Sequence, residues 1–473
     1  MNATISLIEK QSIIQEKGKN NEKEILKVPL GDLCFTTSGG TPSRKVSSYY
    51  IGDIPWVKSG ELGDNLIVKT DEYISEEAIK SSSAKLFPKG TLLIALYGAN
   101  IGKLAFLGID ATTNQAICGI FENKYVNLKY IYYYLRFQRS KLIEQGIGGA
   151  QPNISQDIVR KQEIPVFSLA EQHRIVAKIE ELFSSLDNGI QNLKTAQQQL
   201  KIYRQAVLKW AFEGKLTSAK NDHSQSQATN DLPEGWQWVK LGQITSKIGS
   251  GSTPQGGKTN YKAEGIPLVR SLNIHFDYIK FKDLAFIDEQ QAKKLDNVII
   301  NENDVLLNIT GASIGRVNIA PKEFHGGRVN QHVSIIRLDE NYLSKFIKYF
   351  IESPNIQSWV SNENYGVTRQ ALTKTMIENL EVPQISLSKQ TQIVAEIESR
   401  LSVCDKIEET IQTSLKQAEI LRQSILKKAF SGQLVPQDPN DEPASLLLEK
   451  IQGDRAKNNP KSPRKTRKKD NQI

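Results

Sequence analysis

Two stretches decide the reading of this chain: SLAEQHRIVAKIEELFSSLDNGI, starting at Ser168, and SLSKQTQIVAEIESRLSVCDKIE, starting at Ser386. Residues 168–217 align with 386–435 without a gap, and 21 of the 50 positions are identical. Both copies close alike, with LKWAFEGKL at 208–216 and LKKAFSGQL at 426–434. In the first copy apolar residues recur at spacings of four and three: Ile175, Ile179, Leu182, Leu186, Leu193, Ala196, Leu200, Tyr203, Val207 and Trp210, broken only at Gly189. The second repeats this with Ile393, Ile397, Cys404, Ile407, Ile411, Ala418, Leu421 and Ile425, while Arg400 stands where the first copy has Leu182. A seam held over about five heptads predicts a long helix of about 54 Å. Ser168 with Glu171 gives a capping signature at the start, and Gly214 and Gly432 follow the periodic runs as stop signals. Neither helix can bury such a stripe alone. An antiparallel pair is expected, the alternative being that each helix packs on its own domain.

Outward from the helices the duplication continues. SGGTP at 38–42 matches SGSTP at 250–254, and IPWVKS at 54–59 matches IPLVRS at 266–271. LYGANIGKL at 96–104 matches ITGASIGRV at 309–317, and Asn114-Gln115 matches Asn330-Gln331. Between these anchors the copies diverge. Similar connectors joined to similar folds with different surfaces predict two readers on one shared frame. The expected class is α+β: two duplicated α/β domains separated by two long antiparallel helices. The expected segments are 1–27, a first domain at 28–166, a helix at 167–216, a polar linker at 217–231, a second domain at 232–384, a helix at 385–434 and a C-terminal segment at 435–473. Within that segment ASLLLEKI (444–451) predicts a short helix and the basic run KSPRKTRKK (461–469) predicts disorder.

Composition narrows the function. The 473 residues carry 61 Lys and Arg against 52 Asp and Glu, a net +9, which permits a polyanionic partner. Three scattered cysteines without a CxxC pair support neither a zinc ribbon nor a disulfide framework and fit a reducing cytoplasm. The N-terminus has no signal-type apolar core, and the longest apolar run, TLLIALYGA at 91–99, is half a membrane span and reads as a buried strand.

Catalytic machinery is missing from the pattern. GSTPQGGKT at 251–259 has Ser252 where a phosphate loop needs its first glycine. The five histidines form no metal motif, and no nucleophile elbow, dinucleotide fingerprint or Asp/Asn-Pro-Pro-aromatic methyltransferase motif occurs. A binding protein is favoured, with no metal and no cofactor. For DNA contact the candidates are Arg44, Lys45, Lys58 and Lys103 in the first copy, and Lys258, Lys262, Arg270 and Arg316 in the second. Small flexible residues beside a cation let it approach phosphate. Gln115, Gln151, Gln331, Arg369 and Gln370 are of the types that read base edges. The matched pairs Lys58/Arg270 and Lys103/Arg316 lead, because charge persists where neighbours diverge. Trp56 and Trp236 read as packing residues.

The assembled motifs resemble the specificity subunits of type I restriction–modification systems over nearly the whole chain. LPEGWQWVKLGQI at 232–244 looks like the opening of a target recognition domain. GGAQPNIS at 148–155, IPV and LAEQHRIVAKIEEL look like the passage into the following helix, and EPASLLLEKI at 442–451 is similar to the family's C-terminal segment. The first opening, KVPLGDLCF, departs by lacking PEGW. The resemblance implies two domains that each read half of a bipartite, asymmetric DNA site, with the helices fixing the gap. It also implies two modification subunits that methylate adenine and two ATP-dependent restriction subunits, and a chain that is itself non-catalytic. The same scaffold in a modification-only or other-class complex stays open, as do a stand-alone methyltransferase or nuclease and a coiled-coil scaffold that binds no DNA.

Overall fold

In the computed structural model, residues 25–146, 153–216, 235–254, 257–363 and 371–458 are described. The segment 1–27 lies outside the described residues except for its last three, and the linker at 217–231 and the basic run at 461–469 lie wholly outside them. The chain divides into two units, one of residues 1–190 with 416–473 and one of residues 191–415.

The first unit is built on a five-stranded sheet in the order Thr36–Ser38, Ile117–Ile120, Leu92–Ala95, Leu104–Leu107 and Asn65–Ile67. The run read as a buried strand supplies Leu92–Ala95, and all four of its residues are buried. A second sheet orders Tyr73–Ile74, Ile54–Val57, Ala111–Thr113 and Leu86–Phe87. A ribbon pairs Lys27–Pro29 with Glu163–Pro165.

The second unit repeats this plan. Its main sheet runs Thr245–Ser250, Val333–Leu338, Val305–Asn308 and Val317–Ile319. Its smaller sheet runs Ala285–Ile287, Ile266–Val269 and Arg328–Val329, and its ribbon pairs Gln237–Lys240 with Glu381–Gln384. In both copies the IPxV strand is central and pairs in parallel with the short strand before the Asn-Gln turn. The opening that lacks PEGW therefore makes the same ribbon as the one that has it.

The two long helices are Leu169–Phe212 and Leu387–Phe430, each of 44 residues and so about 66 Å. Ser168 and Ser386 accept the backbone N–H of Glu171 and Lys389 at 2.9 and 3.3 Å. Both ends are Schellman turns. Gly214 and Gly432 adopt φ of 73° and 68°, and Lys215 and Gln433 donate back to Trp210 and Lys428 at 2.9 Å. The helices pair antiparallel. In the second unit Gln197 bonds Glu408 at 3.1 Å and Arg204 bonds Asp405 at 2.5 Å, and in the first unit Arg422 bonds Asp187.

The heptad seam holds only in part. Ile175, Ile179, Leu200, Val207, Cys404, Ile411, Ala418 and Ile425 are buried, yet Tyr203, Trp210, Ile407 and Leu421 remain 36–50% exposed. Near its ends each helix also enters a domain core, so the buried stripe widens to Val176, Leu208, Ala211, Val394 and Leu426. The two packing schemes that the sequence left as alternatives are thus combined. Phe430 shows this in the first unit, with its ring 5.4 and 5.0 Å from those of Tyr130 and Tyr134. Phe212 does the same in the second, 5.3 and 5.1 Å from Phe346 and Phe350.

The helix expected at 444–451 runs Ala444–Asn458, and its Leu447, Leu448 and Ile451 join the core of the first unit. Just before it, Asp441 accepts from Arg174 at 2.6 and 3.2 Å and from Ser168 at 3.0 Å.

Candidate nucleic-acid interface

The four sequence anchors of each copy meet at one rim. In the first unit Asn114 N–H donates to Val57 C=O at 3.0 Å, Gly40 N–H to Thr113 C=O at 2.9 Å and Leu96 N–H to Ala116 C=O at 2.8 Å. These bonds tie the Thr-Pro loop, the end of the IPxV strand, the Gly-Ala turn and the Asn-Gln turn together. In the second unit Asn330 donates to Val269 at 3.1 Å, Gly251 to Asn330 at 3.2 Å and Ile309 to His332 at 3.0 Å. Thr41 bonds the Gln115 side-chain oxygen, and Thr253 bonds that of Gln331. Close approach explains the shared glycine: a Cβ on Gly39 would overlap the Thr113 carbonyl, and one on Gly251 the Val329 carbonyl.

The structure places the matched cations equivalently. Lys58 and Arg270 each follow the IPxV strand and cap a short 3₁₀ turn, their N–H groups donating to Glu61 at 2.7 Å and Asn273 at 3.0 Å. Lys103 and Arg316 each end the Gly-Ala turn, with their carbonyls accepting from Ala95 at 2.9 Å and Asn308 at 2.8 Å. Their side chains are held differently. Lys103 Nζ donates to Asn100 at 2.8 Å, whereas Arg316 donates to His275 Nδ1 at 3.4 Å. The Arg270 guanidinium lies 5.1 Å over the Tyr261 ring and bonds the Asp283 carbonyl, while its buried Nε has no hydrogen-bond partner among the described residues.

Of the five other candidates whose side chains are described, four are already paired. Arg44 forms an ion pair with Glu72 at 2.7 Å, and its guanidinium lies 4.0 Å over Tyr50 and 5.0 Å over Trp56. Lys262 meets Asp288 at 3.3 Å, and Lys45 is exposed. Gln115 and Gln331 hold the Thr-Pro loops, so their amide oxygens are committed within the protein. Gln151, Arg369 and Gln370 lie outside the described residues, as does the Lys258 side chain. The residues that follow those segments join the same rim: Ile154 N–H donates to Leu96 and Leu372 N–H to Ile309, both at 2.9 Å. Trp56 and Trp236 are buried as packing residues, and Trp56 Nε1 donates to Gly40 C=O at 3.1 Å.

Sequence reasoning missed Glu72, Tyr50 and His275. Glu72 and His275 act on cations 14 to 41 residues away, Tyr50 on one six residues away across the Thr-Pro loop, and no spacing rule points to any of them. The Lys58 ammonium, by its hydrogen bond, holds the Glu72 carboxyl below the usual carboxylate range, and Arg44 adds to this. Glu72 in return raises Lys58 above its ordinary value. Both stay charged at neutral pH. Among the described residues no cluster of His, Cys, Asp and Glu suited to a metal ion occurs. No helix of the described residues is long and apolar enough to cross a membrane.

Comparison with known proteins fits this two-copy design. The type I restriction modification DNA specificity domain matches residues 22–200 and again 233–417. The chain is 29% identical over 367 residues to the EcoBI specificity subunit of Escherichia coli, covering 73% of this chain and 76% of that protein. It is 27% identical over 431 residues to the MjaIX specificity subunit of Methanocaldococcus jannaschii, covering 87% and 96%. The fold is similar to that of the HsdS subunit of Thermoanaerobacter tengcongensis, with a TM-score of 0.57 at 21% identity over 89% of this chain and all of that one. A chain solved for complex assembly and conformational transition of the type I R-M system gives a TM-score of 0.66 at 21% identity, over 86% and 98%. Two matched domains, each carrying the rim described above, make this chain a member of the type I restriction–modification DNA specificity family.

Proposed function

We propose that each unit reads one half of a bipartite, asymmetric duplex site through its rim of turns, and that the two long helices set the gap between the halves. The observation that carries this reading is the repeated rim. The same four turns are hydrogen-bonded together in both copies, with a cation at the same two places, while the intervening surface differs. Arg44, Lys45, Lys58 and Lys103 would serve one half-site, and Lys262, Arg270 and Arg316 the other. Phosphate contacts fix register, and base edges and duplex shape supply discrimination. Lys258, Gln151, Arg369 and Gln370 belong to the same proposed interface by sequence. Gln115 and Gln331 serve it through the amide N–H groups left free by their threonines.

In this reading the chain works in the cytoplasm with two modification subunits and two restriction subunits. Methylation and ATP-dependent cleavage belong to those partners. The test is a selection from a random duplex library by the full chain in its complex. Two short conserved blocks at one fixed gap are expected. Enrichment of a single block, or of none, would overturn the bipartite reading.

A further inference from the structure

We propose that Glu72 is a positioning residue that presets the first unit's rim for its half-site, a device not repeated among the described residues of the second unit; this rests on the reading above. The backbone at Glu72 is fixed by the sheet, because its carbonyl accepts the Trp56 N–H at 2.9 Å. From there one carboxylate oxygen takes Lys58 Nζ at 2.8 Å and the other takes Arg44 Nη2 at 2.7 Å. These two cations come from different turns, the Thr-Pro loop and the end of the IPxV strand. A single side chain thus sets the distance and direction between them.

The loop that carries Arg44 is tied to the same place. Tyr50 Oη donates to Pro42 C=O at 2.7 Å, Trp56 Nε1 donates to Gly40 C=O, and both rings lie under the Arg44 guanidinium. A flexible lysine or arginine loses rotamer freedom when it meets DNA. Here that loss is taken on folding, so phosphate or a base edge meets two cations already in place. Glu72 is 29% exposed, Lys58 35% and Arg44 54%, so each group remains open to a ligand.

Among the described residues, the second unit shows no such acid. The residue in the corresponding place opposite its IPxV strand is Ala285, paired with Leu268 and buried. Its Arg270 is held by a backbone carbonyl and the Tyr261 ring. The carboxylate also has a cost for binding, since it neutralises charge that would otherwise attract phosphate. Removing it is therefore expected to act in opposite directions on attraction and on discrimination.

The experiment measures binding of the full chain in its complex to the selected duplex, to duplexes with one mismatch in either half-site, and to unrelated duplex, over a range of salt. In Glu72→Gln, affinity for unrelated duplex should rise about 3- to 10-fold at low salt. The salt slope should steepen by up to about 0.9 for each cation released. The mismatch penalty in the first half-site should fall about tenfold or more, and that in the second should stay within about twofold. Glu72→Asp keeps the charge on a shorter side chain and should fall between. Unchanged first-half discrimination in Glu72→Gln, or an equal loss in both halves, overturns the assignment. Mismatch penalties at the second half-site report folding of the second unit in the same assay, and an unfolding midpoint unchanged in both variants reports folding of the first. If the unaltered protein itself shows no half-site preference, the bipartite reading has failed; if it discriminates and both variants do so equally, only the role of Glu72 has failed.

Discussion

At the residue scale, the rim is a set of cations whose use depends on what else holds them. Lys103 and Arg316 occupy equivalent backbone positions, yet one leans on Asn100 and the other on His275. Lys103→Ala and Arg316→Ala should each weaken binding about tenfold, or ~1.4 kcal/mol, and lower the salt slope by about 0.9. Each should do so through its own half-site, which binding to duplexes mismatched in one half or the other will reveal. Unchanged affinity and salt slope in both variants would remove them from the interface. Asp441 shows a carboxylate with a structural task. Its hydrogen bond from Arg174, with help from Ser168, holds its carboxyl below the usual range. Between the ordinary and the lowered value the unfolded chain binds a proton that the folded chain does not. Stability from this contact is thus full above the ordinary carboxylate range and is lost as pH falls through the lowered value. Asp441→Asn should lower stability at neutral pH and flatten its acid dependence in that window, as read from unfolding transitions at successive pH values.

The long helices are legible at the element scale because their start, period and stop signals agree. Capping serines, a 4-3 apolar repeat and αL glycines bound two helices of 44 residues, longer than the seam alone implies. The added length lies where the helices enter the domain cores, beyond the heptad run. Gly189, the one break in the first seam, sits mid-helix with open space where a Cβ would stand. Gly189→Ala should therefore stabilise the helix by roughly 0.5–1 kcal/mol, visible as a later unfolding midpoint. A loss of stability would mean that the glycine is needed for a contact or a bend. The exposed seam residues Tyr203, Trp210, Ile407 and Leu421 follow from the same geometry. A helix that meets both a partner helix and a domain rotates its buried stripe away from a strict heptad face.

On the scale of the whole molecule, the duplication makes one sheet plan serve twice and joins both copies to helices of equal length. If those helices fix the gap in the DNA target, removing seven residues from each at facing positions keeps the heptad phase and shortens the pair by about 10.5 Å. At about 3.4 Å per base pair, the selected gap should shrink by about three base pairs with both blocks unchanged. An unchanged gap would mean that the helices do not set it.

The amino-acid order by itself determined the duplication, the two long helices with their caps, the buried strand at Leu92–Ala95 and the positions of the matched cations. All of these are encoded locally, by spacing within a few turns or by identity between copies. Only the tertiary structure decided what each cation faces. Strand pairing brings Glu72 to Lys58 and Arg44, His275 to Arg316 and Asp288 to Lys262 across 14 to 41 residues, and no periodicity records such meetings. It also assigned the oxygens of Gln115 and Gln331 to threonines of their own loops, because the tight approach at Gly39 and Gly251 brings those loops against the Asn-Gln turns. Helix periodicity is local and survives in the sequence, whereas ion pairing at a rim depends on where distant strands fall in register.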